Sequence, residues 1–280
     1  MSYGPNPWQQ AHWDWRAAGN FICGGAGGGL IVFTAIAGVD GNTLAGLMLA
    51  GLALVGLGLF CVWLEIGRPL RALRVFVNPR TSWMTREAFA ATLLFPAGLA
   101  AAAAVPGFIW IAAALALTFM YCQGRMLHAA KGIPAWRAPL VPPLIVASGL
   151  ADGGGVFFLL APLHGNGTTS LLVVFGALVF VRIVVWLVYC KSVSVTAPRV
   201  RRELLRAGRV LQVAGTLVPL ALVAAIGTGV TSGTPAVLCA ALGGLAAAMS
   251  GAALKYALVT RAAFNQGFAL RHLPVRGTRS

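Results

Sequence analysis

The stretch LAGLMLAGLALVGLGLFCVWL, from Leu44 to Leu64, is apolar throughout and contains no charged residue. A helix of roughly 20 such residues crosses the ~30 Å hydrocarbon core of a lipid bilayer. The stretch therefore predicts a transmembrane helix. Comparable stretches recur along the chain, which is 59% hydrophobic and only 10% charged. This composition excludes an ordinary soluble domain and predicts an all-α, polytopic membrane protein.

The apolar stretches can be counted as eight spans. They lie near Ala17–Gly38, Leu44–Leu64, Ala88–Val105, Gly107–Gln123, Pro139–Leu163, Thr169–Tyr189, Val210–Val230 and Pro235–Tyr256. Only Pro106-Gly107 separates the third span from the fourth. A single helix over both would be about 54 Å long at 1.5 Å per residue, which is too long for one crossing. We therefore expect two helices here and eight in total.

The whole chain, 1–280, is predicted to be one integral membrane domain. Residues 1–16 would form an N-terminal interfacial segment, 17–256 the eight-transmembrane-helix bundle, and 257–280 a C-terminal tail. Pro198 and the basic residues after it predict a short interfacial helix between the sixth and seventh spans.

The distribution of basic residues predicts the orientation. With eight spans, all 21 Lys and Arg fall in alternate connections, or at span ends, that face the same side. Cytoplasmic loops are the ones that carry an excess of Lys and Arg. Both termini are therefore predicted to be cytoplasmic. The net charge of +15 is then explained by topology and by contacts with anionic headgroups or a partner, and not by nucleic-acid binding.

Residue types that hold metals and haem are sparse. The five cysteines are isolated, and no CxxC motif occurs, so neither disulfides nor an iron–sulfur cluster is expected in this chain. The four histidines are His12, His128, His164 and His272, and none falls in the middle of a predicted span. A haem held between two histidines inside the bundle is therefore not expected.

Glycine is abundant, with 35 residues, and it is concentrated at Gly24–Gly29 in the first span and Gly153–Gly155 in the fifth. Small residues allow membrane helices to approach closely. Alternatively, glycines open space for a flat ligand or let a helix break beside a cavity. The sequence leaves both explanations open.

The cytoplasmic ends of the first three spans contain the candidate binding residues. Trp residues are common at membrane interfaces, but an apolar slot with a few convergent polar groups also suits a small amphipathic headgroup. Glu87 next to Arg86 predicts either a simple salt bridge or a proton acceptor for a reduced quinone. The candidates for quinone binding are His12, Trp15, Arg16, Asn20, Glu65, Arg68 and Glu87.

Asp152 lies about halfway along the fifth span, beside the triple glycine. Ionisable residues inside a membrane are costly and are by default candidates for function. We consider two roles, proton transfer together with Glu87 and a hydrogen-bonded link between helices. A third possibility is a secondary transporter with Asp152 at a midplane binding site.

Six arginines face one aqueous side and exceed what orientation requires, which predicts a docking surface for a partner. They are Arg71, Arg74, Arg80, Arg201, Arg202 and Arg206.

The stretch EIGRPLR, from Glu65 to Arg71, followed by NPRTSWMTRE, from Asn78 to Glu87, resembles the conserved loop of the dimethyl sulfoxide reductase anchor family. The resemblance covers nearly the whole chain, although only the loop is specific. It implies an anchor, without a prosthetic group of its own, in the bacterial inner membrane. The anchor would bind a molybdopterin catalytic subunit and a four-cluster ferredoxin-like iron–sulfur subunit, and would exchange electrons with ubiquinone or menaquinone. In the family, an acid at the position of Glu87 and a His at the position of Glu65 are thought to serve the quinol site, and this chain departs from the pattern at Glu65.

The N-terminal segment PNPWQQAHWDWRAAGNFICGGAGGG and the tail segment RAAFNQGFALRHLPVRG are most similar to anchors that serve phenylacetyl-CoA:acceptor oxidoreductases and sulfite-oxidising enzymes. The resemblance implies a role in phenylacetyl-CoA oxidation, or alternatively in a cytoplasm-facing sulfite dehydrogenase or DMSO-reductase-type enzyme. A purely scaffolding subunit would keep the docking face without the quinone.

Overall fold

The structure is a computed structural model, and it describes residues 7–65, 74–165, 167–193 and 198–265. These residues contain eight long helices. They are α1 (Trp15–Ala37), α2 (Gly41–Trp63), α3 (Trp83–Ala102), α4 (Phe108–Ala129), α5 (Val141–Leu159), α6 (Thr169–Ser192), α7 (Pro198–Gln212 continuing through Val213–Leu217 into Val218–Gly227) and α8 (Gly233–Tyr256 continuing through Ala257–Arg261). The molecule is therefore an all-helical, multi-pass membrane protein.

Seven of these helices are long and apolar enough to cross a membrane, and α3 is not among them. Its first two turns contain Arg86 and Glu87, and Pro96 lies inside it, so its hydropathy is lower than that of the others. The predicted break between the third and fourth spans is confirmed, because α3 ends at Ala102 and α4 begins at Phe108. Gly107, with a φ of 81°, takes the left-handed conformation at this turn. An eighth crossing by α3 stays a prediction.

Glycine faces bring α1 and α5 together at the centre of the bundle. These two are the most buried of the seven apolar helices. A side chain at Gly29 or Gly153 would collide with the backbone of the opposite helix. At Gly155, a Cβ atom would lie 2.5 Å from the carbonyl oxygen of Gly244 in α8. The glycines of both runs therefore serve close helix packing, the first of the two explanations above.

The predicted interfacial helix after Pro198 is not a separate element. It forms the first part of α7 and continues into the apolar part of the same helix. Val200, Leu204 and Leu211 are buried against the bundle, whereas Arg201 and Arg202 are exposed. This amphipathic pattern places one face of the segment on protein and the other on polar surroundings.

The N-terminal segment pairs with the chain that follows α8. Gln9 and Phe264 form an antiparallel bridge, and the backbone N–H of Gln10 donates to the carbonyl of Ala263 at 2.8 Å. The N–H of Asn265 donates to the carbonyl of Trp8 at 3.0 Å. Both ends of the described chain therefore lie at the same end of the bundle, which we call the terminal end.

Candidate functional site

A buried carboxyl group lies in the second turn of α3, near the terminal end. Glu87 is 4% exposed, and its Oε1 accepts a hydrogen bond from Asn20 Nδ2 of α1 at 2.9 Å. Gln123 of α4, which is fully buried, donates from Nε2 to the backbone carbonyl of Asn20 at 3.0 Å. We call Asn20, Glu87 and Gln123 the amide–acid cluster.

The backbone of α1 is adapted to this cluster. Residues Asn20–Gly24 form a π turn, in which a carbonyl loses its usual intrahelical partner and becomes free to bond elsewhere. A Cβ atom at Gly24 would lie 2.8 Å from Gln123 Nε2 and 2.9 Å from Phe119, so only glycine fits there. The side-chain oxygens of Asn20 (Oδ1) and Gln123 (Oε1) are buried and have no hydrogen-bond partner. These two oxygens and the Glu87 carboxyl group can therefore accept hydrogen bonds from further donors.

Glu87 is not in a salt bridge with its neighbour in sequence. Arg86 points away from the bundle and donates to the carbonyls of Pro79, at 2.9 Å, and Arg80, at 2.7 Å. Its guanidinium also lies 4.2 Å from the centre of the Trp83 ring. Consecutive helical residues point about 100° apart, so a carboxyl facing inward leaves its neighbour facing outward. Of the two sequence-based explanations, the salt bridge with Arg86 is wrong.

Three other predicted residues, His12, Arg16 and Glu65, form a rim cluster with Asp14 where α1 begins and α2 ends. Arg16 makes a two-pronged ion pair with Asp14, with Nη2 and Oδ2 2.7 Å apart, and Nη1 donates to the carbonyl of Leu64 at 3.3 Å. The hydrogen bond from Arg16 lowers the pKa of Asp14. Partial burial, followed by the negative charge of Asp14, raises the pKa of Glu65 above its ordinary value. Arg16 and His12 act on Glu65 in the opposite direction.

The two tryptophans beside this rim have different environments. Trp15, the predicted candidate, is 57% exposed. Trp13 instead packs inward, with its ring centre 4.6 Å from that of the buried Trp136. Both tryptophans, together with Tyr256, line an open cleft of about 370 Å³. None of the three residues of the amide–acid cluster lines this cleft, so the cleft and the cluster are separate features.

A second buried polar group links α5, α6 and α8. Asp152 Oδ1 accepts a hydrogen bond from Arg182 Nη1 at 2.9 Å, and Asp152 Oδ2 lies 2.9 Å from Lys255 Nζ. All three side chains are at most 2% exposed. Two basic groups therefore share one carboxylate inside the bundle. We call Asp152, Arg182 and Lys255 the ionic triad.

Arg182 extends the triad to α7. Its Nη2 donates to the carbonyl of Gly215 at 2.6 Å, and its Nη1 also donates to the carbonyl of Ala247 at 2.9 Å. Gly215 lies in the π turn Val213–Leu217, so here again a π turn provides a backbone acceptor for a buried side chain. Side chains at Gly25 and Gly251 would collide with Lys255 Nζ and Asp152 respectively. The triad is enclosed on all sides by helices.

The triad corrects the sequence-based distribution of charge. The prediction that every Lys and Arg lies in a connection or at a span end is wrong for Arg182, which lies inside α6, and Lys255, near the predicted end of its span, is fully buried as well. Their contribution to orientation was overcounted, because a carboxylate compensates part of their charge inside the bundle. Two roles were considered for Asp152, proton transfer and a link between helices. Its contacts with Arg182 and Lys255 support the link between helices.

The predicted docking arginines are all exposed where the structure describes them. These are Arg74, Arg80, Arg201, Arg202 and Arg206. Arg206 forms an exposed ion pair with Glu203 at 3.0 Å, a contact of small energetic value. Arg68 and Arg71 lie outside the described residues.

Sequence reasoning missed four residues of these sites. They are Trp13, Gln123, Arg182 and Lys255. Gln123 and Lys255 lie close to predicted span ends, where polar residues are ordinary. Arg182 lies seven residues before the predicted end of its span, which could have identified it as a partner for Asp152. Trp13 could not be distinguished from Trp15 by residue type.

A scan against protein-family models and a search of curated proteins found no match to this chain. In the parts of the chain described here, no three His, Cys, Asp or Glu side chains are grouped as a metal site would require.

Proposed function

We propose that this chain is the membrane anchor and quinone-reactive subunit of a molybdopterin and iron–sulfur oxidoreductase complex. The observation that carries the proposal is the amide–acid cluster. A buried carboxyl bound by an amide and by no basic side chain is free to change its protonation state without leaving an ion unpaired. The resemblance in the loop that ends at Glu87 points to the same residue.

The residues of the cluster fit a quinone or quinol headgroup. The unpartnered Oδ1 of Asn20 and Oε1 of Gln123 would accept hydrogen bonds from ring hydroxyls, and Phe119 provides an apolar wall. A bound quinone would supply the two-electron, two-proton chemistry. Glu87 would hold and release a proton at its carboxyl group, while Asn20 Nδ2 orients that group. Glu65 at the rim would exchange protons with water, which its raised pKa favours, and His12 beside it would donate a hydrogen bond.

Electrons would pass between the quinone and a docked four-cluster iron–sulfur subunit. Quinone reduction takes two electrons from that subunit and two protons from the rim, and the reverse reaction returns both. The exposed arginines on α7 and in the connection before α3 would bind an acidic partner surface. We propose phenylacetyl-CoA as the substrate class of the catalytic partner, with a sulfite dehydrogenase or DMSO-reductase-type complex as the alternative.

The orientation proposal places the terminal end in the cytoplasm of a bacterial inner membrane. The pairing of Gln9 with Phe264 supports an even number of crossings between them. The seven apolar helices alone would make an odd number of crossings. If α3 crosses as well, the number is eight, which is even. Cysteines introduced at Asn42, Gly165 and Ser232, in a background without native cysteines, should react with an impermeant reagent from the periplasm. Cysteines at Thr81, Ser194 and the C-terminus should react only after permeabilisation, and the opposite pattern would contradict the orientation.

The quinone proposal is tested in the intact complex with Glu87→Gln and His12→Ala. We expect assembly and activity with an artificial dye to be unchanged, while quinone-linked turnover falls at least roughly tenfold, as for loss of a positioned proton acceptor. Asp40→Asn, an exposed acid in the connection between α1 and α2, is the matched control and should have no effect. Normal quinone kinetics in both variants would place the site elsewhere. Purification without iron–sulfur or molybdopterin subunits would contradict the anchor itself.

A transporter with a midplane site at Asp152 is the less favoured function. Both oxygens of Asp152 are already bound by basic side chains, and Gly251 is packed against the carboxylate. A solute would have to displace Arg182 or Lys255 to reach it.

A further inference from the structure

Among the residues that line the cleft between α6 and the first part of α7, only Arg201 has a role in the preceding proposal, as one of the docking arginines. The two helices touch where Gly208 packs on Trp186, since a Cβ atom at Gly208 would lie 2.6 Å from the Trp186 ring. Between this contact and the terminal end, a cleft of about 400 Å³ separates them. Its walls are mainly apolar, and Leu187 and Leu205 are each 45% exposed.

Two basic side chains lie at the mouth of this cleft. Lys191 belongs to the last turn of α6, and Arg201 to the first turns of α7. Both are exposed. The nearest acid in sequence, Glu203, lines a different cleft and is paired with Arg206. Lys191 and Arg201 therefore present positive charge that no acidic residue lining this cleft offsets.

Exposed apolar side chains continue from the cleft along both helices. On α6 they include Val184 and Phe180, one and two turns below Leu187. On α7 they include Val213 and Leu217, and the exposed Arg209 lies between Leu205 and Val213 on the same face. The surface thus combines a basic mouth near the terminal end with exposed apolar side chains farther along two helices that are apolar enough to cross a membrane. Basic pockets between membrane helices on the cytoplasmic side are suited to anionic lipid headgroups.

We propose that this cleft binds an anionic phospholipid, with its phosphate between Lys191 and Arg201 and an acyl chain along Leu187 and Leu205. The track distinguishes a lipid from a free phosphate, which would gain nothing from the apolar walls. It also distinguishes a lipid from an acidic protein surface, which would not extend down the membrane-facing sides of two helices. The site is independent of quinone binding.

The test uses the full-length protein, purified with its complex where one forms and stripped of lipid in detergent. Phosphatidylglycerol and phosphatidylcholine are added separately, and bound lipid is measured by native mass spectrometry. We expect phosphatidylglycerol to be retained preferentially. Lys191→Gln combined with Arg201→Gln should weaken its binding about fivefold for each charge removed.

The matched control is Arg199→Gln combined with Arg202→Gln, which removes the same charge from exposed positions of α7 that line a different cleft. An equal loss of bound phosphatidylglycerol in both double variants would show that lipid binding depends only on the net positive charge of the protein, and it would overturn the proposal. Equal retention of the two lipids by the unaltered protein would do the same. Release of partner subunits without a change in lipid binding would make the cleft a docking surface instead. A third variant, Leu205→Gln, tests the acyl-chain contact. It should weaken the binding of phosphatidylglycerol, while the binding of inorganic phosphate, added in a separate sample, should stay the same.

Discussion

Each half of the bundle buries one acidic residue, and the two halves stabilise it by different means. In the half formed by α1 to α4, Glu87 is bound by the side-chain amide of Asn20, with Gln123 adjacent. In the half formed by α5 to α8, Asp152 is bound by Arg182 and Lys255. An amide can remain bound to the acid in either protonation state, whereas two cations require the carboxylate. The comparison is consistent with the proton-exchanging role proposed for Glu87 and with a structural role for Asp152.

The sharpest way to break this comparison is Asp152→Asn. It would leave two buried basic groups without a counter-charge, and removing one member of a buried ion pair costs about 3–5 kcal/mol. We expect a large loss of folded protein, measured by thermal unfolding in detergent. Replacing all three residues of the ionic triad with Leu should recover much of the stability, since apolar substitutes for a buried ion pair are often neutral or better. Unchanged stability in Asp152→Asn would show that the triad does not hold the helices together.

A second variant tests whether the triad depends on its glycine walls. Gly251→Ala places a methyl group against Asp152, which we expect to cost about 1–3 kcal/mol through overpacking. Gly46→Ala, on the exposed face of α2 with no atom within 4 Å of the added methyl, is the matched control. The control should be neutral or slightly stabilising, because alanine has the higher helix propensity. Equal melting temperatures for the two variants would argue that the triad tolerates displacement.

The smallest expected change in stability is that of Glu87→Gln. The new carbonyl oxygen can still accept from Asn20 Nδ2, and no ion loses its partner, so the unfolding free energy should change by less than about 1 kcal/mol. Thermal unfolding of Glu87→Gln and Asp152→Asn under the same conditions compares the two losses of stability directly. A loss as large as that of Asp152→Asn would mean that Glu87 also has a mainly structural role.

Much of the fold could be predicted from the sequence because hydropathy and connection residues record where the helices begin and end. The break at Pro106-Gly107 is one example, and α7 differs from prediction only in joining two predicted elements. Asp152 was identifiable because an acid inside an apolar span is costly wherever it points. Its partners were not, since Arg182 and Lys255 lie on other helices, and the rotation of each helix about its axis depends on packing. For the same reason, residue type alone cannot show that Trp13 packs inward and Trp15 outward, or that Glu87 faces inward and Arg86 outward.

The composition of the ionic triad also has a consequence for how the chain is made. Asp152 and Arg182 lie on neighbouring helices in sequence, so they leave the ribosome early and can enter the membrane as a neutral pair. Lys255 lies on α8, the last of the described helices, and arrives when that pair already exists, bringing a positive charge that the pair must accommodate. Insertion of α8 therefore depends on helices synthesised about 70 to 100 residues before it. Closure of the N-terminal segment onto the chain after α8 must wait for the same step, so the two ends can meet only after the interior charge has been placed.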